Sequence, residues 1–292
     1  MNHQTLPLAP WQDSFICRYQ LPKHYIEQVA PIVANIVSLY AQVCNDTPWL
    51  LAINGAQGTG KSTLSAYLAE YFLHQHNQKT LVVSLDDYYL SPSERADKAQ
   101  RVHPLFKTRG VPGTHDIKQA ISDIHALVAG DECVIPRFDK SRDCPKPRSQ
   151  WQHVTDKQHI VIVEGWCMGV TAQTNEQLQQ PVNQFEQLQD SDGQFRQLVN
   201  EELQADYQTF FALFSHYAYL KVSDFNDVFR WRCQQEHQLI AQTGRGMSDH
   251  DIAEFIQYFE RLTLWAQSCL PSQADIIVQV DCAHHLHLMP AC

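Results

Sequence analysis

The chain has 292 residues, 44% of them hydrophobic, and a formal net charge of −10. That is enough apolar material for one large α/β domain with appendages, it excludes global disorder, and the acidic balance disfavours general binding to nucleic-acid backbones. Nine cysteines without a CxxC pair argue against a disulfide framework or a zinc site, and neither a secretory signal nor an apolar run of the ~18 residues a membrane helix needs is present. The expectation is a soluble, cytoplasmic protein with reduced thiols and no membrane partner.

Residues 1–11, with Pro7 and Pro10, read as a loose tail. From Tyr25 to Cys44 the apolar residues Ile26, Val29, Ile32, Val33, Ile36, Val37 and Tyr40 recur at helical spacing, with Pro31 as a start or kink. Trp49 to Ile53 is a short, unalternating apolar run ending in a glycine turn, which suits a strand buried on both faces. A helix follows from Ser62 to His76, then a strand from Thr80 to Leu85. Residues 91–115 are polar, bent by Pro92, Pro104, Pro112, Gly110 and Gly113, and read as a long functional loop with room for a short helix. Ile117 to Val128 reads as a helix stopped by Gly130, and Cys133 to Ile135 as a short strand. The run Ile160-Val-Ile-Val163 is a further buried strand. Residues 173–208 are rich in Gln and read as a polar surface insertion, partly helical near Phe195 to Tyr207. Strand Tyr217–Val222, helices Phe225–Gln242 and Asp249–Ser268, and strand Ala274–Val280 complete the pattern, with an irregular tail from Ala283. Alternating strands and helices predict an α/β fold: a parallel sheet of five strands or slightly more, with helices on both faces.

The sharpest signal is Gly55-Ala56-Gln57-Gly58-Thr59-Gly60-Lys61-Ser62, followed by Thr63. It satisfies G-x-x-x-x-G-K-[ST] at every fixed position, and a buried strand precedes it and an amphipathic helix follows, as the motif requires. Glycines let backbone N–H groups curl round a β-phosphate, and the helix directs its positive end at the same anion. Lys61 is expected on the β- and γ-phosphates and Ser62 on Mg²⁺, so ATP with Mg²⁺ is the predicted ligand. The loop alone does not separate kinases from GTPases, motors and helicases.

Two acidic strand ends narrow the choice. Ser84-Leu-Asp86-Asp87-Tyr88-Tyr89 ends the second strand, taken as the neighbour of the P-loop strand, where a carboxylate faces the ligand crevice. Asp86 is the candidate catalytic base that orients an alcohol and takes its proton, while Asp87 is equally suited to a turn or a helix cap. Glu164, followed by Gly165, is the candidate Mg²⁺ residue. Lys140, Arg142, Lys146 and Arg148 are candidate clamps for an anionic substrate, or a solvated loop neutralised by Asp139 and Asp143. Arg230 and Arg232 lie two apart on a helix, so at most one reaches the phosphates in the manner of an arginine finger. His284, His285 and His287 lack a helical or strand context and a fourth ligand, and are not read as a metal site.

These motifs together resemble the glycerate 3-kinase branch of the phosphoribulokinase and uridine kinase-like P-loop kinases. The resemblance runs over roughly residues 50–282 through Gly55–Ser62, Ser84–Leu90, Arg109-Gly-Val-Pro-Gly-Thr-His-Asp116, Ile135–Ser141, Val163–Gly169, Asp192–Asn200, Trp231–Glu236 and Gly246–Asp249. It implies Asp86 as base, Glu164 at the Mg²⁺ strand end, an acceptor site lined by Arg109, Thr114, His115 and Asp116 together with Asp87, Tyr88, Lys140 and Arg148, and a lid near Arg232 and Arg245. One departure stands out. Plant-type members carry a Gly-Arg-Gly-Asp-Arg run after Asp-Lys-Ser, and here Arg142-Asp-Cys-Pro-Lys-Pro-Arg148 replaces it, leaving Arg148 as the surviving counterpart. The expected organisation is a tail and helix over 1–45, a P-loop kinase domain over 46–282, and a tail over 283–292. The expected activity is ATP- and Mg²⁺-dependent phosphorylation of a small hydroxylated metabolite, D-glycerate first. An ATP-hydrolysing switch or assembly factor with a protein partner, a nucleoside or pantothenate-type kinase, and a homo-oligomeric state stay open.

Overall fold

The structure, a computed structural model, describes residues 8–43 and 47–290. The first residues of the expected tail and the Cys44 end of the expected first helix lie outside them. Helix α1 (Pro10–Tyr19) occupies the end of the segment read as a loose tail, starting on Pro10 and anchored by the fully buried Phe15. A proline at the first helical position costs nothing there, because its missing N–H has no partner inside the helix. Helix α2 (Tyr25–Tyr40) runs through Pro31, which sits on its exposed face.

The central sheet has six strands: β1 (Trp49–Gly55), β2 (Thr80–Ser84), β3 (Ile160–Gly165), β4 (His216–Val222), β5 (Ile276–Val280) and β6 (Leu286–Leu288). Their spatial order is β6-β5-β4-β1-β3-β2. All neighbours are parallel except the edge pair β5–β6, which is antiparallel. Two expectations change here. The chain from Ala283 is not wholly irregular, since β6 returns along the sheet edge. And β2 is not beside the P-loop strand: β3 lies between them, in register Ala52 with Val163 and Val83 with Val163.

Helices cover both faces. Leu51, Ile53, Ile160, Ile162 and Leu220 point to one side, against Phe15, Ile32, Leu64 and Leu68 of α1, α2 and α3 (Lys61–His76) and Val228 of α7 (Phe225–Thr243). Ala52, Val83, Val161 and Val163 point to the other, against Ile124 of α5 (Ile117–Ala129), Phe195 of α6 (Gln194–Glu202) and Leu262 of α8 (Asp249–Cys269). This alternation on strands apolar on both sides is what a parallel sheet between two helical layers requires. The region 91–115 holds helix α4 (Pro92–Arg101), opened by a Ser91–Glu94 capping box.

Residues 173–208 are not a surface insertion. Phe195, Val199, Leu203 and Tyr207 enter the core, and two buried ion pairs, Arg196 with Asp190 at 3.0 Å and Arg261 with Glu186 at 2.6 Å, hold the segment down. The Gln-rich composition hid four apolar anchors at helical spacing. Cys133–Ile135 forms a separate hairpin with Gln152–Val154, and a second one joins Phe138–Asp139 to Cys144–Pro145. No helix is long and apolar enough to cross a membrane among the described residues.

Candidate active site

The P-loop connects β1 to α3. Gly58 and Gly60 adopt φ of 80° and 88°. A Cβ on Gly58 would lie 2.5 Å from Cβ of Trp231, so α7 packs directly on the loop and leaves room for glycine alone. Gly55, Ala56 and Thr59 form the inner wall of the loop, where the Thr59 hydroxyl donates to the Ala56 carbonyl at 2.8 Å. Gln57, Gly58, Gly60, Lys61, Ser62 and Thr63 face a cleft of about 580 Å³. Beneath them the Ser62 hydroxyl donates to Glu164 Oε1 at 2.8 Å, and Lys61 Nζ lies 3.7 Å from Glu164 Oε2. A hydroxyl and a buried carboxylate at the foot of a phosphate loop are the oxygen donors a hard divalent cation takes, so Ser62 and Glu164 fit Mg²⁺.

Asp86 lies on the cleft floor, on a 3₁₀ turn (Leu85–Tyr88) that continues β2. Its Oδ2 meets Lys140 Nζ at 2.5 Å and its Oδ1 accepts from the Tyr89 hydroxyl at 2.9 Å. Burial on its own would raise the carboxyl, but Lys140 and Lys61 outweigh it and hold Asp86 well below the usual carboxylate range. Burial and the neighbouring Asp86 push the Tyr89 hydroxyl well up, so it stays a donor. Lys140 in turn is raised by Asp86 and stays charged. Arg109 completes this wall, 5.9 Å from the Phe138 and Phe255 ring centres and bound to Asp143 Oδ1 at 2.5 Å. Asp143 also holds the buried Arg95 at 2.7 Å. The run that replaces the plant-type motif therefore reaches the cleft through Asp143, which positions Arg109. Arg148 stacks over Trp151 at 5.7 Å and does not line the cleft.

Several expected acceptor residues serve the frame of the site instead. Asp87 spends one oxygen on Arg137 at 2.6 Å and the other on the Phe138 N–H at 3.0 Å, locking the Phe138 hairpin against the 3₁₀ turn. Burial raises its carboxyl, against the pull of those two donors. The Tyr88 hydroxyl turns away to Asp123 at 3.0 Å. Thr114 is fully buried: its hydroxyl accepts from the Gly110 N–H and donates to the Val111 carbonyl, closing the Arg109–Asp116 loop. Asp116 caps α5 through the Gln119 N–H. His115 stacks on Tyr89 with ring centres 4.5 Å apart and shares a 2.6 Å hydrogen bond with the Tyr207 hydroxyl. Burial lowers it to about 4, against the pull of Asp86, so it is a neutral prop behind Tyr89 and Asp86. Gly110 is required because a Cβ there would stand 2.3 Å from the Phe259 ring.

The far wall belongs to α7 and the α7–α8 connection. Arg232 faces the cleft and pairs with Glu236 at 2.5 Å, whereas Arg230 is turned out and pairs with Asp227. Arg245 and Met247 also line the cleft, where the lid was expected. Tyr89, Trp166, Phe255 and Phe259 line it as well, and the sequence reading gave them no role. Tyr89 and Trp166 carried a signal, as parts of the Asp-Asp-Tyr-Tyr and Glu-Gly-Trp strings.

No protein-family model matches the chain. An uncharacterized kinase of Schizosaccharomyces pombe, mug58, is 35% identical over 221 residues, covering 73% of this chain and 78% of that protein. The chain belongs to the glycerate 3-kinase-like branch of the phosphoribulokinase and uridine kinase P-loop kinases. The chloroplastic D-glycerate 3-kinase of Arabidopsis thaliana is 26% identical over 80% of this chain, which spans 52% of that protein's length. The solved D-glycerate 3-kinase of Cryptococcus neoformans shares the fold, with a TM-score of 0.73, 21% identity, and coverage of 89% of this chain and 99% of that one. As a member of this branch the chain is an ATP-using P-loop kinase.

Proposed function

We propose that this kinase moves the γ-phosphoryl group of ATP onto a hydroxyl of a small anionic metabolite, with D-glycerate the first candidate. The observation that carries the reading is the juxtaposition, in one cleft, of an ionised Asp86 with the cations Lys140 and Arg109, opposite the P-loop. A carboxylate-bearing acceptor answers those cations, and its hydroxyl then lies within reach of Asp86. In the transfer the bond between the γ-phosphorus and the ADP oxygen breaks, the acceptor oxygen bonds to phosphorus, and its proton passes to Asp86. The strong hold of Lys140 and Lys61 makes Asp86 a weak base, which suits a loose transition state where the proton leaves late. Mg²⁺, held by Ser62 and Glu164, would supply charge neutralisation across the phosphates. Lys61 adds a second positive charge there, and Arg232 closes the far wall.

An ADP-release assay with D-glycerate, uridine, pantothenate and no acceptor tests the proposal. D-Glycerate-dependent ADP formation is expected. Slow, acceptor-independent hydrolysis would favour the switch reading, and dependence on uridine or pantothenate would move the acceptor while keeping the chemistry.

A further inference from the structure

The sequence reading found no strand context and no further ligand for the C-terminal histidines, but the turn after β5 brings His285 and His287, the latter on β6, together with Asp281, outside the lining of the nucleotide cleft. A hydrogen bond from the His284 N–H to the Asp281 carbonyl at 2.9 Å closes the turn. The His284 backbone takes a φ of 64° to do so. Asp281 Oδ1 is committed to the backbone, accepting from the N–H groups of Ala283 at 2.9 Å and His285 at 2.8 Å. That fixes Oδ2 on the outside of the turn. There it meets two imidazole nitrogens, His285 Nδ1 at 3.0 Å and His287 Nε2 at 3.3 Å, and the three atoms lie within 4.8 Å of one another.

The three ligand atoms are close enough together to share one ion. Zinc bonds of about 2.0–2.1 Å to nitrogen and oxygen set ligand-to-ligand edges of roughly 3.3 Å in a tetrahedron. Two of the three edges already stand at 3.0 and 3.3 Å. All three side chains keep an open side to solvent, which gives an ion an entry path. Two imidazoles and a carboxylate suit zinc and its late first-row neighbours, whereas Mg²⁺ prefers oxygen donors throughout. We infer that Asp281, His285 and His287 form a binding site for a divalent transition-metal ion of the zinc type, separate from the Mg²⁺ position at Ser62 and Glu164. The site braces the turn that backs the P-loop, because His284 Nε2 hydrogen-bonds the Gly58 carbonyl at 2.8 Å and its ring lies 4.3 Å from that of Trp231.

The test is titration calorimetry of the chelator-stripped full chain with ZnCl₂ in excess Mg²⁺, with Co²⁺ absorption as a second readout of a tetrahedral nitrogen and oxygen field. One Zn²⁺ per chain is expected, with Asp281→Asn and His287→Ala each weakening it by about 10-fold or more and His284→Ala leaving it intact. Circular dichroism of the exposed-turn variants checks that they fold. The inference is overturned by the lack of saturable binding below about 100 µM Zn²⁺. It is equally overturned by affinity that survives both ligand substitutions, or by a loss in His284→Ala as large as in His287→Ala.

Discussion

Replacing Asp86 by Asn removes one charge from the cleft floor while preserving shape. The carboxylate touches Lys140 and the Tyr89 hydroxyl, and none of its hydrogen bonds goes to the P-loop. Lys140 is exposed enough to be solvated once its partner is gone, so stability changes little. Nucleotide affinity holds or rises slightly, because a negative charge leaves the neighbourhood of the phosphates. The chemical step loses the group that orients the hydroxyl and accepts its proton. General-base contributions of roughly 10²–10⁴-fold correspond to about 2.7–5.4 kcal/mol of transition-state stabilisation. The expected result is therefore kcat down by about 10² or more with ATP affinity retained. The control is Asp87→Asn, which breaks the Arg137 and Phe138 contacts. It lowers stability by about 1–3 kcal/mol and leaves kcat close to that of the parent. Steady-state kinetics beside nucleotide titration and thermal melts measure all of this. Equal, small kinetic losses in the two variants would refute the reasoning, and a dead Asp87→Asn beside an active Asp86→Asn would transfer the role to the wrong-facing carboxylate.

Glu164→Gln keeps the hydrogen bond from Ser62 but removes the charge, so half-maximal activity is expected at a higher Mg²⁺ concentration; an unchanged Mg²⁺ titration would count against Glu164 as a cation ligand. Asp143→Ala frees Arg109, and re-ordering that side chain costs about 0.5–1.5 kcal/mol, or roughly a 2- to 10-fold rise in acceptor KM with ATP KM unchanged. His115 is lowered to about 4 from an unfolded value of 6.5, so the unfolded chain binds the extra proton between those values. Its contribution, on the order of 3 kcal/mol, is complete above pH 6.5 and is lost as pH falls toward 4. Denaturant midpoints in that window should fall less steeply for His115→Gln, and parallel curves would remove His115 as the cause.

Much of the site was legible because local chemistry dictates it. A phosphate loop needs its glycines, lysine and hydroxyl contiguous in sequence, between a buried strand and a helix, so Gly55 to Ser62 identified itself. The carboxylates Asp86 and Glu164 could be picked out because strand ends in a parallel sheet face the ligand crevice whatever the strand order. The order was another matter, since nothing local says that β3 inserts between β1 and β2. Alternation along a strand is also not what separates the two adjacent aspartates. They sit on a 3₁₀ turn, not a strand, and long-range partners decide: Lys140 for Asp86, Arg137 for Asp87. The same holds for Asp143, which sequence places in a solvated basic loop and folding places between Arg95 and Arg109. The sequence by itself determined the phosphate-binding loop, the fold class and the chemistry of the loop, because those rest on residues close along the chain. Only the tertiary structure decided the acceptor wall, the buried role of residues 173–208 and the meeting of Asp281 with His285 and His287, because each depends on the direction in which a side chain leaves a folded turn or helix.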